Sequence, residues 1–396
     1  MSDQASNTAS PNPYTGSRLR TPWRAVSSQF VFNGMLIGIW ASRIPAIMEI
    51  HSLDKAELGL LLLAMAVGAI ASFPLAGRLS DIYGSAFVTK CIAVTYTFSL
   101  MALAFAPNVW MLALALAFFG ANHGAMDVSM NAWAGEVETH LKRPVMSSIH
   151  AMWSIGAGLG AATGYLAVKL GADPLTHFVV GAVLSFALTF PFATLPWHSN
   201  RRPSQKGDPI FPLPKGALIL VGLIALSSGL GEGAMADWSA IFLVSVTGVG
   251  EAKAALGYTI FSVAMVIMRM IADRVVVRTG PVKAARLGGI VSCLGTLMAI
   301  LAGSFTLTLI GFALMGLGYA VIIPLAMSRA TRDDRLAPGT AIASVATLGY
   351  AAILIGPVVI GFFAELVSLR WAFLLLTFLT LIIIALASNL APPRQD

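Results

Sequence analysis

The chain has 396 residues, 57% of them hydrophobic and only 11% charged, with a formal net charge of +7 and a mean hydropathy of +0.81. A soluble domain is nearer about 45–50% apolar and about 25% charged, so the composition excludes a single water-soluble core and leaves the bilayer as the solvent that fits. The positive balance does not point to nucleic acid, because the basic residues sit in short loops between apolar spans rather than on one patch.

The first 24 residues, rich in Ser, Asn, Pro and Arg, read as a disordered cytoplasmic tail with no cleaved signal peptide. A spanning helix needs about 20 mostly apolar residues. Breaks at charge clusters, Pro and Gly then place twelve spans at 25–47, 56–77, 87–106, 109–134, 146–168, 175–196, 216–245, 254–273, 284–303, 306–328, 340–364 and 370–390. A polar, Pro-rich and basic stretch at 197–215 divides the chain into a six-span unit at 25–196 and a second at 216–396. The two cysteines, Cys91 and Cys293, have no metal or redox spacing and read as small packed hydrophobes. No cofactor or metal site is expected.

Orientation follows from Lys and Arg. With both termini in the cytoplasm, 19 of the 25 basic residues fall in inner loops and tails, among them Arg18, Arg20, Arg202, Lys206 and Arg394, and four in outer loops. That asymmetry predicts an inner-membrane, multi-pass protein with an even number of spans.

The two halves resemble each other at an offset of 196–198 residues. Leu58-Gly59 falls on Leu256-Gly257, Gly77-Arg78 with Gly84 on Asp273-Arg274 with Gly280, Gly120 on Gly316, and Trp153 with Gly164 on Tyr350 with Gly361. Tandem bundles related by an axis along the membrane normal are a transporter design, with the solute site between them near the midplane. The loop Gly77-Arg78-Leu79-Ser80-Asp81-Ile82-Tyr83-Gly84 resembles the G-x-L-(S/A)-D-R-x-G-R-R loop of the major facilitator superfamily, departing at Ile82, Ser85 and Ala86 where that family has basic residues. Its second copy starts at Ala272-Asp273-Arg274 and runs through Gly280 to Lys283. Three further stretches, Asp127–Ala132, Pro144–His150 and Glu232–Trp238, resemble the YbjJ and MosC subgroup. The resemblance implies an all-α membrane fold of two six-helix bundles and a gate at Gly77, Arg78, Asp81, Gly84, Asp273, Arg274 and Gly280. It also implies a sugar, polyol or amino-polyol solute.

A charged residue at the centre of a span costs about 2.5–3.5 kcal/mol on insertion scales, so each needs a reason. In span 4, His123, Asp127 and Asn131 recur every four residues and share a face, with Asn122 beside them. Asp127 is placed about two turns from the inner end of its span and is a candidate proton carrier, with Arg269 as a possible counter-charge. In span 7 three glycines surround Glu232, predicting a broken or bent helix that presents the acid to the cavity as a proton or solute group. Asp237 lies about 140° round from Glu232, and Trp238 is either an aromatic wall or an interfacial anchor. In span 8, Arg269 is read either as the i,i+4 partner of Asp273 or as a gate. His150 and Trp153 share a face of span 5, Asn33 can hydrogen-bond a hydroxylated solute, and Tyr350 occupies the position equivalent to Trp153. Arg43 is expected to snorkel. Gly156, Gly158, Gly160 and Gly164 lie in an apolar span, so they read as helix packing rather than a phosphate loop.

Three functions compete on these residues: proton-coupled uptake of a small polar solute, proton-exchange export of metabolites or drugs, and a non-transporting membrane sensor. An enzyme is not expected, since no nucleophile, base and orienter group together. The partners implied are a small-molecule substrate, protons and lipid, with no nucleic acid and a monomeric chain.

Overall fold

The computed structural model describes residues 21–53, 55–201, 214–249, 251–254 and 256–392. Arg18, Arg20, Arg202, Lys206 and Arg394 of the orientation argument lie outside these residues. Every described element is helical: α1 (Pro22–Ile50), α2 (Lys55–Tyr83), α3 (Ser85–Ala104), α4 (Val109–Leu141), α5 (Met146–Lys169), α6 (Pro174–Ala193), α7 (Ala217–Thr247), α8 (Glu251–Ala254), α9 (Leu256–Thr279), α10 (Pro281–Ala302), α11 (Phe305–Tyr319), α12 (Ile322–Ala330), α13 (Pro338–Leu366), α14 (Leu369–Ala372) and α15 (Leu374–Leu386), closed by a short 3-10 turn at Ala387–Leu390.

Local chemistry sets many of the ends. The side chains of Thr21, Asn108 and Asp173 accept hydrogen bonds from the first turns of α1, α4 and α6, and Pro occupies the first turn of α1 and α6. Gly84 (φ +96°) and Gly280 (φ +77°) make the abrupt α2–α3 and α9–α10 turns, a conformation that side chains resist.

Among the described residues, nine helical segments are long and apolar enough to cross a bilayer, with α11–α12 and α14–α15 each counting as one. α1, α9 and α13, at 29, 24 and 29 residues, complete the twelve. Large apolar side chains such as Leu60, Phe98, Leu188, Leu301 and Phe378 are exposed along these helices, as lipid-facing positions are.

The twelve form two six-helix bundles. In the first, α1 packs on α5 and α6, α2 on α4, and α3 on α4 and α6; in the second, α7 packs on α13 and α15, α9 on α11, and α10 on α11 and α15. These are the same pairings shifted by the sequence repeat. The weak Gly120–Gly316 match now has a cause. A methyl at Gly120 would strike the Met65 carbonyl of α2, and one at Gly316 the Phe261 carbonyl of α9, so each glycine permits the same close helix contact. The glycines of α5 behave likewise: Gly156 and Gly160 lie against the α1 backbone at Val31 and Met35. Between bundles α2 meets α13 and α5 meets α9, again equivalent pairs.

Three expectations are corrected. α7 runs unbroken through Glu232, and Gly231 is small because the Tyr319 ring occupies the space a side chain would need. The break lies in span 10, between α11 and α12. Pro324 has no N–H, so the Ala320 carbonyl loses the donor four residues on, and the helix restarts at Ile322. Finally, Cys91 is exposed rather than packed.

Candidate functional site

α4 continues to Leu141, seven residues past the expected end of span 4. Asp127 therefore lies about four turns, or about 21 Å, from that end rather than two. It sits where α4 meets α13 of the other bundle. Tyr350 of α13 donates its hydroxyl to Asp127 Oδ2 at 3.4 Å, and Asn131 Nδ2 donates to Asp127 Oδ1 at 3.0 Å. Among the described residues no Lys or Arg forms an ion pair with Asp127. Arg269 is not its counter-charge.

The hydrogen-bond directions around Asp127 form one consistent chain. Because the Tyr350 O–H is given to Asp127, its oxygen accepts from His123 Nε2–H at 3.5 Å. His123 Nδ1 is then the acceptor for the Tyr96 hydroxyl at 3.0 Å. The donors run Tyr96 to His123 to Tyr350 to Asp127, crossing from the first bundle to the second and back. On the other side Asn131 Oδ1 can only accept, so His150 of α5 donates to it through Nε2 at 3.0 Å. Trp153 donates its indole N–H to Asn33 Oδ1 at 2.7 Å, and the buried Asn33 Nδ2 has no partner among the described residues.

Arg269 supplies a second polar cluster. Its Nη2 meets Glu232 Oε2 at 3.2 Å, its Nη1 donates to Ser154 Oγ at 3.2 Å, and its Nε donates to the Ala320 carbonyl at 3.4 Å. The last contact serves the acceptor that Pro324 orphaned. Ser228 donates to Glu232 Oε1 at 3.2 Å. Asp273, expected as a local partner of Arg269, points elsewhere. Ser154 follows His150 by one turn of α5, so that helix joins the two clusters.

The residues expected to form the gate lie at the face that carries the α2–α3, α4–α5, α6–α7 and α9–α10 connections, here the basic face. Asp81 receives the Gly339 and Thr340 N–H groups at 2.9 and 3.0 Å and the Thr340 hydroxyl at 2.6 Å, capping α13. Asp273, its counterpart in the repeat, receives the Ser147 and Ser148 N–H groups at 3.0 Å each, capping α5. Each aspartate thus binds the positive end of a helix in the opposite bundle. Gly77 lies against the Gly339 backbone, which allows α2 and α13 to touch. Glu138, which the sequence reading passed over, is 2% exposed. It accepts from the N–H groups of Val145 and Met146, from the Ser328 hydroxyl, and from Arg332 at 2.8 Å. Its signal was its place eleven residues after Asp127 in what looked like a loop. Arg78 and Arg274 are exposed and make no ion pair among the described residues.

Other expected site residues fall outside the central site. Asn122 bonds Thr95 of α3 at 2.5 Å and the Phe118 carbonyl, and Thr95 is exposed, so this pair ties α3 to α4 at the bilayer side. We expect Asn122→Ala to leave solute affinity unchanged while lowering thermal stability by about 1 kcal/mol, as for a typical hydrogen bond; an affinity loss in a binding titration would return it to the site. Asp237 is exposed, and Trp238 packs on Gly361 beside an outer cavity of about 310 Å³. Arg43 does not snorkel: it is 4% exposed and donates to the Ala172 carbonyl at 2.8 Å.

Two bundles that repeat the same helix pairings, with buried polar clusters where they meet, suit a transporter, and the sequence agrees. Residues 26–336 and 223–396 match the family described as Major Facilitator Superfamily, and the chain belongs to it. It is 48% identical over 375 residues to an uncharacterized transporter, y4wD, of Sinorhizobium fredii, covering 95% of this chain and 98% of that one. It is 31% identical over 351 residues to the membrane protein MosC of Rhizobium meliloti, covering 88% and 85%. The fucose:proton symporter FucP of E. coli shares the fold at a TM-score of 0.72 and 16% identity, covering 94% of this chain and 99% of that one.

Proposed function

We propose that this membrane transporter moves a small polar solute of the sugar, polyol or amino-polyol type into the cell by alternating access, coupled to protons. The observation that carries the reading is Asp127: a carboxyl about four turns inside a membrane helix, free of any ion pair among the described residues, and joined to the opposite bundle through Tyr350. An ionised carboxyl is costly out of water unless donors or a cation support it. A change in how the bundles meet therefore changes its hold on a proton.

Asn33, Asn131, His150 and Trp153 supply hydroxyl-binding groups, and the Glu232–Arg269 pair supplies charge from the second bundle. The gate closes the basic face in this conformation. The working state is a monomer in the inner membrane with no enzymatic step, in which 25–196 and 216–396 act as the rocking units. In proteoliposomes, an inward proton gradient is expected to drive uptake of a responsive sugar or polyol, and collapse of the gradient by an ionophore to stop it. Outward movement under the same gradient would favour exchange-type export.

Both termini and the 197–215 segment are assigned to the cytoplasm. Cysteine placed at Ser204, outside the described residues, should react with an impermeant maleimide in inside-out vesicles and not in intact cells. Reaction in intact cells would invert the topology.

A further inference from the structure

The α2–α3 turn lacks the cations of the family loop, having Ile82, Ser85 and Ala86 in their places, yet it is not left loose. The chain leaving α6 folds back over it. Ser199 Oγ lies 3.2 Å from Ser85 Oγ and accepts the Ala86 N–H at 3.2 Å, serving as an N-terminal cap for α3, whose own Gly84 offers no side chain. Trp197 donates its indole N–H to Glu136 of α4 at 2.6 Å and sets its ring edge-on to His140, with centroids 5.4 Å apart. Leu195 is 3% exposed in the bundle core. The Glu136 carboxylate gathers donors from Trp197, Ser199, Ser85 and the Asn200 backbone, and among the described residues it has no ion pair. Gly84 must be a glycine here, since a side-chain carbon would stand 2.8 Å from Ser199 Cβ.

We propose that residues 195–201 are a strap that replaces the missing cations of the gate loop, and that Glu136, Trp197 and Ser199 are positioning residues. They act through the α2–α3 turn to hold Asp81 on the end of α13. The argument has three steps. Asp81 lies three residues before Gly84, so the turn's position fixes the end of α2. Asp81 closes the basic face by capping a helix of the other bundle. The strap ties that turn to α4 through neutral donors on one carboxylate, each of which helps to carry the charge of Glu136. Loosening the strap releases the turn, weakens the Asp81 cap and shifts the population towards a state open at the basic face. The inference rests on the alternating-access reading.

The test uses the full chain in liposomes with Cys91→Ala, Cys293→Ala and a reporter, Leu325→Cys. Leu325 is 6% exposed and lines a partly open cavity of about 120 Å³ at the basic face. The rate of labelling by an impermeant maleimide from that face reports opening. Glu136→Gln, Trp197→Phe and Ser199→Ala are each expected to raise it about tenfold, the effect of losing a hydrogen bond to a charged group. Asp81→Asn is expected to do the same, and Glu136→Gln added to Asp81→Asn to give no further rise. A rise with Asp81→Asn alone overturns the strap and leaves alternating access intact. Full additivity overturns the route through Asp81. No rise in any variant overturns the strap together with the alternating-access reading. If Glu136→Gln does not fold, the Trp197 and Ser199 variants carry the same comparison.

Discussion

Proteoliposomes carrying Asp127→Asn are expected to exchange solute between equal pools at near wild-type rates and to accumulate none against a gradient. Asparagine keeps the shape of the carboxyl and can still meet Tyr350 and Asn131, but it cannot lose a proton, so it fixes the neutral state. Exchange needs the loaded carrier to turn over in that one state; accumulation needs the group to be loaded on one side and unloaded on the other. The driving force being removed is large. One charge crossing 100 mV is worth about 2.3 kcal/mol, or roughly fiftyfold in concentration. The donor chain from Tyr96 through His123 and Tyr350 predicts a graded companion result. His123→Ala interrupts the relay without removing the carrier, so it should move the pH optimum of uptake while retaining accumulation. Counterflow and gradient-driven uptake of one radiolabelled solute decide both. Accumulation by Asp127→Asn would end its role as carrier, and so would a folded variant that has lost exchange as well.

How far the sequence leads here depends on the kind of physics involved. The spans, their number and the repeat follow from hydropathy and punctuation, because a bilayer leaves the backbone few solutions. Asp81 and Asp273 stood out through their loop motif, but not their partners, since capping α13 and α5 is a long-range contact between bundles. The face of α4 holding His123, Asp127 and Asn131 was legible from its spacing. Asn122, one residue away, was not separable from it until α3 was in place. The glycines of α7 suggested a break or bend, whereas α7 is continuous and Gly231 is small to admit Tyr319. Pro324 was the true punctuation, in a span too apolar to draw attention. The sequence offered Arg269 two acids, Asp273 and Asp127, and the tertiary arrangement selects a third, Glu232.

The selection of Glu232 has a consequence for stability that depends on which partner is removed. Glu232→Gln is expected to destabilise the folded protein more than Arg269→Met does. Breaking a buried pair costs about 3–5 kcal/mol because it strands the remaining charge, and the two stranded charges differ. The Glu232 side chain is 25% exposed and Arg269 7%, so a lone Glu232 retains some solvent and can accept a proton to become neutral. A lone guanidinium cannot discharge, and in Glu232→Gln it would keep only neutral acceptors in a nearly closed site: the new amide oxygen, Ser154 and the Ala320 carbonyl. The full figure therefore applies best to Glu232→Gln, and Arg269→Met should fall to about half of it once solvent screening of Glu232 is allowed for. The double variant Glu232→Gln with Arg269→Met, having no stranded charge, should recover most of the loss. Asp237→Asn, five residues on and exposed, should stay within about 0.5 kcal/mol as surface changes do. Thermal unfolding of the four purified variants in one detergent measures the order. Equal losses for the two single variants, or a double variant no better than Glu232→Gln, would show that Arg269 is held by Ser154 and the broken helix rather than by Glu232.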